Sequence, residues 1–319
     1  MGPASSLIGD HFPRGKRAMA NSFMMMGVPF GALIGAVSGG VIAQSIGWRW
    51  AFVIMGAPGL LVVLLVLTLR DPERGVMDQE QDFETPSLKA VATSLFRNKT
   101  FLHVTAGGTL AGFAMQGFGA FLPLYYARVH GMAPAAAGLS SGLIAFLNVA
   151  GGLTLSGWLA SWGAKRDMRW YAWIPAVGSV ASSGIYIAAF NVTGLVPSLG
   201  LLVIAGIVLM SYFGPGLAMV QNLAGSRSRA SAIAIYSLIV NIVGLGFGPV
   251  LIGYASDRFA QAAYGGPLPE TCKALVMDIA CRTALGDGLR QALTLMSGLL
   301  VWAGLHYYLA GRSQPKGMT

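Results

Sequence analysis

Eight stretches of this chain are each long and apolar enough to cross a lipid bilayer, and no other feature of the sequence restricts its fold so severely. They are read as A (about 19–44), B (51–69), C (101–126), D (138–162), E (170–191), F (198–223), G (230–255) and H (291–310). Roughly 20 apolar residues in helical form span the hydrocarbon, where backbone N–H and C=O groups find no water and must pair within the chain. A closed barrel is the other solution to that constraint, but its strands alternate apolar and polar residues, and none of the eight stretches does so. The sequence therefore predicts an all-α integral membrane protein, a bundle of eight transmembrane helices. Composition agrees: of 319 residues, 55% are hydrophobic and only 10% charged, against about 25% charged in soluble domains. A water-exposed globular enzyme and a disordered chain are both excluded.

Lys and Arg are distributed unequally between the two ends of these stretches. With the N-terminus placed in the cytoplasm, the outer side holds Arg49, Arg128, Arg258, Lys273, Arg282 and Arg290, which leaves 15 of the 21 basic residues inside. That bias is the positive-inside pattern. It predicts a multi-pass protein of the cell (inner) membrane with both termini cytoplasmic. It also accounts for the formal charge of +9 without a nucleic-acid partner.

The connection from Arg70 to Lys99 carries six acids and five bases around Pro72 and Pro86. It divides the helices into two and six. The two-helix part repeats within the six. Stretch A is entered by Arg17-Ala18-Met19-Ala20 and stretch G by Arg229-Ala230-Ser231-Ala232, both continue with recurrent glycines, and they lie six helices apart. Repeated halves are a recurrent plan of secondary transporters. The predicted organisation is residues 1–69 from one half, 70–100 as the cytoplasmic central loop, and 101–319 as a complete six-helix half with an extracytoplasmic loop at 257–290. On this plan four helices of the first half would precede Met1, and the eight spans alone are expected not to transport.

Within the spans the candidates are polar but uncharged. All 12 acids fall in loops or at span ends, so a titrating carboxylate for proton coupling is not expected among these helices. Gln116, Asn148, Tyr212, Tyr236 and Asn241 lie at mid-depth. Each is read either as interhelical glue or as a substrate contact, because a neutral amide or hydroxyl in hydrocarbon needs a partner. Met115, Phe118, Phe121 and Met210 supply either an adaptable apolar wall or ordinary packing. His103 and His306 read as interfacial imidazoles. Gly27, Gly31, Gly35 and Gly39 run down one face of A, where small residues permit close backbone approach. Pro29, and Pro215 within Gly214-Pro215-Gly216, favour kinks. Cys272 and Cys281 share the outer loop, as a disulfide or as two thiols in a short helix. No metal site, cofactor or catalytic constellation is legible.

Several passages resemble the major facilitator superfamily of transporters. Asp10-His11-Phe12-Pro13-Arg14-Gly15-Lys16-Arg17 is similar to the family's loop between its fourth and fifth helices, Gly47-Trp48-Arg49-Trp50 to the turn into its sixth, and Leu69-Arg70-Asp71-Pro72-Glu73-Arg74 to the start of its central loop. Gly248-Pro249 through Ser256-Asp257, the loop with the two cysteines, and Gly288-Leu289-Arg290 are similar to the bacterial Spinster-like branch, which is associated with sphingolipids and related amphiphiles. The passage Gly157-Trp158-Leu159-Ala160-Ser161-Trp162-Gly163-Ala164-Lys165-Arg166 resembles the family's G-x-L-A-D-R-x-G-R-R loop, with Ser161 in place of the aspartate. Gly35-Ala36 lacks the proline of the antiporter motif, which Gly248-Pro249 supplies in G. The resemblance implies alternating access, coupling to protons, an amphiphilic or lipid-like solute, and a cavity bordered by the helices that carry Gln116 and Tyr212. Two alternatives remain at this stage: an uptake carrier for organic anions or sugar acids, and a polytopic lipid-modifying membrane enzyme.

Overall fold

The structure is a computed structural model. It describes residues 45–68, 87–164, 166–224, 228–269 and 279–314, together with single positions 27, 30, 31, 34, 35, 38, 42 and 272. Arg14, Arg17, Pro29, Gly39, Lys165 and most of stretch A lie outside the described residues. The chain divides into two compact units, Met1–Thr85 and Pro86–Thr319.

In the first unit, helix α1 (Trp48–Leu67) is entered through Gly47 at φ +100°, a backbone angle that suits a residue without a Cβ. Its most hydrophobic stretch is wholly exposed within the structure, the condition of a helix face that meets lipid or further helices. Ser38 donates to the Met55 sulfur of α1 at 3.1 Å. No described atom lies within 4 Å of where a Cβ would stand at Gly27, Gly31 or Gly35.

The second unit begins with α2 (Leu88–Arg97), a short helix within the stretch predicted as central loop. Next come α3 (Lys99–Val129), α4 (Pro134–Ala164) and α5 (Trp170–Asn191). The F span is broken: α6 (Leu195–Leu209) passes through a 3₁₀ turn at Met210–Tyr212 into α7 (Phe213–Leu223). Helices α8 (Arg229–Tyr264) and α9 (Ile279–Ser313) complete the bundle. Among the described residues there is no strand. Six helices among the described residues are long and apolar enough to cross a membrane: α1, α4, α5, the α6–α7 pair, α8 and α9. Helix α3 is long enough at 31 residues, but its Gly, Thr and Tyr content holds it below that mark.

Helix α9 packs against α3, α5 and α8, and α3 packs against α8 and α4. Small residues set the closest of these approaches. A Cβ at Gly248 of α8 would stand 2.6 Å from the Phe113 carbonyl oxygen of α3, and one at Gly244 would stand 3.1 Å from the Gly112 carbonyl carbon. The same holds for Gly288 of α9 against Ser256 and Ala260 of α8, and for Gly304 of α9 against Ala176 of α5. Between apolar helices in lipid there is no hydrophobic drive to associate, so this backbone-to-backbone contact supplies the packing energy. Hydroxyls add to it: Ser183 of α5 donates to the Ser297 carbonyl of α9 at 2.8 Å. Phe118, Tyr186 and Phe190 fill the space between α3 and α5, with ring centroids 4.6–5.9 Å apart.

Two glycine substitutions, one inside this seam and one outside it, should behave oppositely. Gly248→Ala forces the α3 and α8 backbones apart and should cost about 1–3 kcal/mol. Gly119→Ala, at an exposed position of α3 with nothing within 4 Å, should be neutral or gain up to about 1 kcal/mol. Thermal unfolding of the purified chain in detergent measures both.

Candidate functional site

The glycines of α3 create a niche as well as a crossing. At Gly108 a Cβ would fall on the Tyr236 hydroxyl of α8, and at Gly107 it would stand 2.9 Å from the Tyr307 ring of α9. From α7, Gly216 opens the same space: a Cβ there would lie 3.3 Å from the Tyr236 hydroxyl and 3.6 Å from that of Tyr307. One turn along α3, a Cβ at Gly112 would lie 3.9 Å from the Tyr212 hydroxyl. Three tyrosine hydroxyls from separate elements are thus brought together along α3. Tyr212, Tyr236 and Tyr307 are all buried. The hydroxyls of Thr105 and Thr109 on α3 are buried without a hydrogen-bond partner among the described residues, which is uncommon in a folded protein, while the Tyr307 hydroxyl lies beside that of Tyr236.

Gln116 lies on the same stripe of α3 as Gly108 and Gly112, each one helical turn from the next. It is half-buried, and its amide has no hydrogen bond among the described residues. Met115 and Phe121 are half-buried and pack on the core, with Phe121 3.3 Å from where a Cβ would stand at Gly253 of α8. The remaining amides are engaged. Asn148 of α4 packs on Gly206 of α6, where a Cβ would collide with it, and in its better amide orientation it donates to the Val203 carbonyl at 3.0 Å. Asn241 is exposed on α8 and donates to the Ser237 carbonyl of its own helix at 2.7 Å.

The break in the F span sits beside this niche. Pro215 is buried and cannot donate to the carbonyl four residues back, and the preceding Gly214 N–H donates to Ser156 Oγ of α4 at 3.2 Å. Pro249, by contrast, lies inside the unbroken α8, next to the Gly248 contact.

Charges and other titratable groups gather toward the ends of the helices. Arg229 is exposed at the start of α8. The Arg166 guanidinium stacks 4.0 Å over Trp162, and Asp167 accepts from the Arg169 N–H at 2.8 Å. At the opposite end Arg290 pairs with Asp287 at 2.8 Å, and Cys272 is disulfide-bonded to Cys281. There too Tyr125 binds the last carbonyls of α5, Ala189 and Phe190, both at 3.3 Å, with His130 Nε2 3.3 Å from the same hydroxyl. Burial pushes the His130 imidazole below its ordinary value. His103 and His306 meet across α3 and α9 with their Nδ1 atoms 3.0 Å apart, so in the neutral pair one donates and the other accepts. Among the described residues no cluster of three His, Cys, Asp or Glu is arranged to hold a metal.

Sequence reasoning missed Tyr307 and Gly108, and named Gly216 only as part of the kink at Pro215. The Gly107-Gly108 pair was the available signal, since adjacent glycines inside a helix mark a place where something bulky comes close.

Residues 1–261 match the family model described as Major Facilitator Superfamily. An MFS-type efflux pump of Mycolicibacterium smegmatis is 29% identical over 81% of this chain and 59% of its own length. The sphingosine-1-phosphate transporter SPNS2 of Mus musculus is 26% identical over 84% of this chain and 52% of its own. This chain thus spans just over half the length of these relatives. A crystal structure of a bacterial homolog of the human lysosomal transporter Spinster, inward-facing and unoccupied, superposes with a TM-score of 0.77 at 29% identity, covering 98% of this chain and 74% of that one. The inward-facing, occupied form gives 0.71 at 28% identity. These relatives are transporters and not enzymes, which removes the lipid-modifying enzyme from consideration. A family match over most of its length, borne by a helical membrane bundle, places this chain in the major facilitator superfamily, and the relatives it resembles include transporters of Spinster type.

Proposed function

We propose that the protein is a secondary carrier that moves a lipid-like or amphiphilic small molecule by alternating access, with protons as the coupling ion. In this reading Pro86–Thr319 forms one lobe of the carrier and residues 1–69 belong to the other. It is multi-pass in the cell (inner) membrane with cytoplasmic termini. Gln116, Met115 and Phe121 contact the solute, and Tyr212, Tyr236 and Tyr307 form the polar floor behind them. No cofactor takes part.

The observation that carries this reading is the half-buried, unengaged Gln116 amide beside the tyrosine niche, several turns away from the helix charges Arg128, Asp257, Asp287 and Arg290. A small organic anion needs a fixed counter-charge in a low-dielectric cavity. An amphiphile needs apolar wall and a few neutral donors, which is the chemistry present. The relative that transports sphingosine-1-phosphate supports the same solute class. The rival is an uptake carrier for organic anions or sugar acids.

Titration of the purified chain separates the two. A fluorescent lysophospholipid should bind, and Gln116→Ala should weaken it about three- to tenfold, the worth of one polar contact in a membrane interior. Binding of a dicarboxylate with none of the lysophospholipid would overturn the reading. In vesicles where the chain is joined to the four helices expected to precede it, an ionophore that collapses the pH gradient should stop solute movement, and flux that persists would exclude proton drive.

The niche has its own test. Gly108→Ala should lower the thermal midpoint, and adding Tyr236→Phe, which removes the colliding oxygen, should restore about 1 kcal/mol of the loss. Strict additivity of the two substitutions would mean that the hydroxyl is not seated against Gly108.

A further inference from the structure

Helix α2 presents three faces in cross-section. Val91 and Leu95 are buried against the bundle, at 6% and 4% exposure. Beside them, at successive turns, run Leu88, Ala92 and Phe96, with Leu88 63% and Phe96 49% exposed. Next to that apolar stripe runs a polar one, Lys89, Thr93 and Arg97. With Ser87, Ala90 and Ser94 these line a surface depression of about 600 Å³. Neither Lys89 nor Arg97 has an ion-pair partner among the described residues.

The hydroxyls in the depression differ in what they can still do. Thr93 spends its proton on the Lys89 carbonyl at 2.8 Å. Ser87 Oγ only accepts, from the Ala90 N–H at 3.3 Å, so its proton is free to donate. Ser94 has no hydrogen bond among the described residues. Two cations and two hydroxyl donors thus face one concavity, a donor set suited to a phosphate.

The position of α2 fixes its surroundings. Asn98, in an extended conformation, is the one residue between α2 and α3. Its side chain caps α3 by accepting from the Thr100 N–H at 2.9 Å. Thr100 in turn bonds Ser313 at the far end of α9, at 2.8 Å, and α2 packs on α3 and α8. The helix therefore lies at the rim of the membrane bundle, turned away from the α3 direction, where hydrocarbon gives way to headgroups. An exposed apolar stripe flanked by cations is the pattern of a helix lying in that interface.

We propose that α2 is a binding site for an anionic phospholipid headgroup, its phosphate held by Lys89 and Arg97 with the Ser87 and Ser94 hydroxyls, and its acyl chains laid against Leu88, Ala92 and Phe96. Free phosphate, or the acidic run Asp78, Glu80, Asp82 and Glu84 of the same chain, would also neutralise the cations. Either would leave Leu88 and Phe96 in water. A lipid satisfies both stripes at once, and this site is independent of the solute pathway.

The test is thermal unfolding of the chain in detergent with added dioleoylphosphatidylglycerol, because a ligand that binds the folded state raises the midpoint. The parent should be stabilised by phosphatidylglycerol and much less by dioleoylphosphatidylcholine. Lys89→Gln with Arg97→Gln should keep the lipid-free midpoint and lose about fivefold in apparent affinity per cation, roughly thirtyfold together. An undiminished response in that variant, or an equal response to phosphatidylcholine, would overturn the proposal. So would full protection by millimolar inorganic phosphate, or a lipid response that emerges only when the four acids are neutralised. As a second measurement, Phe96→Cys carrying an environment-sensitive dye should shift to the blue in phosphatidylglycerol vesicles while a dye at Ser94→Cys shifts less. Equal, water-like emission at both positions would count against interfacial burial.

Discussion

Every span of this protein is bound by one requirement: in hydrocarbon, backbone polar groups must pair within their own helix, and helices so satisfied have no hydrophobic reason to adhere. What holds them is proximity. The α3–α8 seam meets this demand with Gly112 and Gly117 opposite Gly244 and Gly248, so that main chain touches main chain. Dispersion between closely packed atoms is individually small and collectively large, and a seam set by glycines concentrates it close to the helix axes. The seams of α9 with α8 and α5 repeat the device at Gly288 and Gly304. The tyrosine niche is a by-product of the same economy, because the glycines that admit a backbone at one turn admit an aromatic ring at another.

That origin explains which parts were legible. Spans D to H read directly from hydropathy, since a long uncharged apolar run has one stable form in a bilayer. Helix α2 was hidden in a stretch read as loop. Ten residues bearing Lys89, Thr93, Ser94 and Arg97 carry no spanning signal, and only packing of Val91 and Leu95 decides that they fold. The glycine ridge of stretch A was as visible as the glycines of α3 and α8, but spacing alone names no partner. For Gly27, Gly31 and Gly35 nothing described stands close, whereas Gly112 and Gly248 meet backbone.

The candidate amides show the same limit. Gln116, Asn148 and Asn241 are equivalent in sequence terms, each a lone neutral polar residue at mid-span. Three-dimensional neighbours then assign them different uses. Asn148 meets the gap left by Gly206 and ties α4 to α6. Asn241 turns back onto its own helix. Gln116 alone keeps its amide unspent. Tyr307 escaped notice because its fellow hydroxyls lie on other helices, and convergence from α8, α9 and the 3₁₀ turn is a property of the bundle and not of any segment.

The broken F span joins these features. Pro215 removes the N–H that would bond the Ser211 carbonyl, and the chain carries a tightened turn at Met210–Tyr212 immediately upstream. Two consequences follow. Tyr212 is carried to Gly112, and the Gly214 N–H is turned to Ser156 of α4. Both contacts span helices, so α6–α7 is held by its neighbours at the point where its own ladder lacks a donor. Bending there must therefore alter the α4 contact and the tyrosine niche together, which ties any motion of this span to the polar surface behind Gln116.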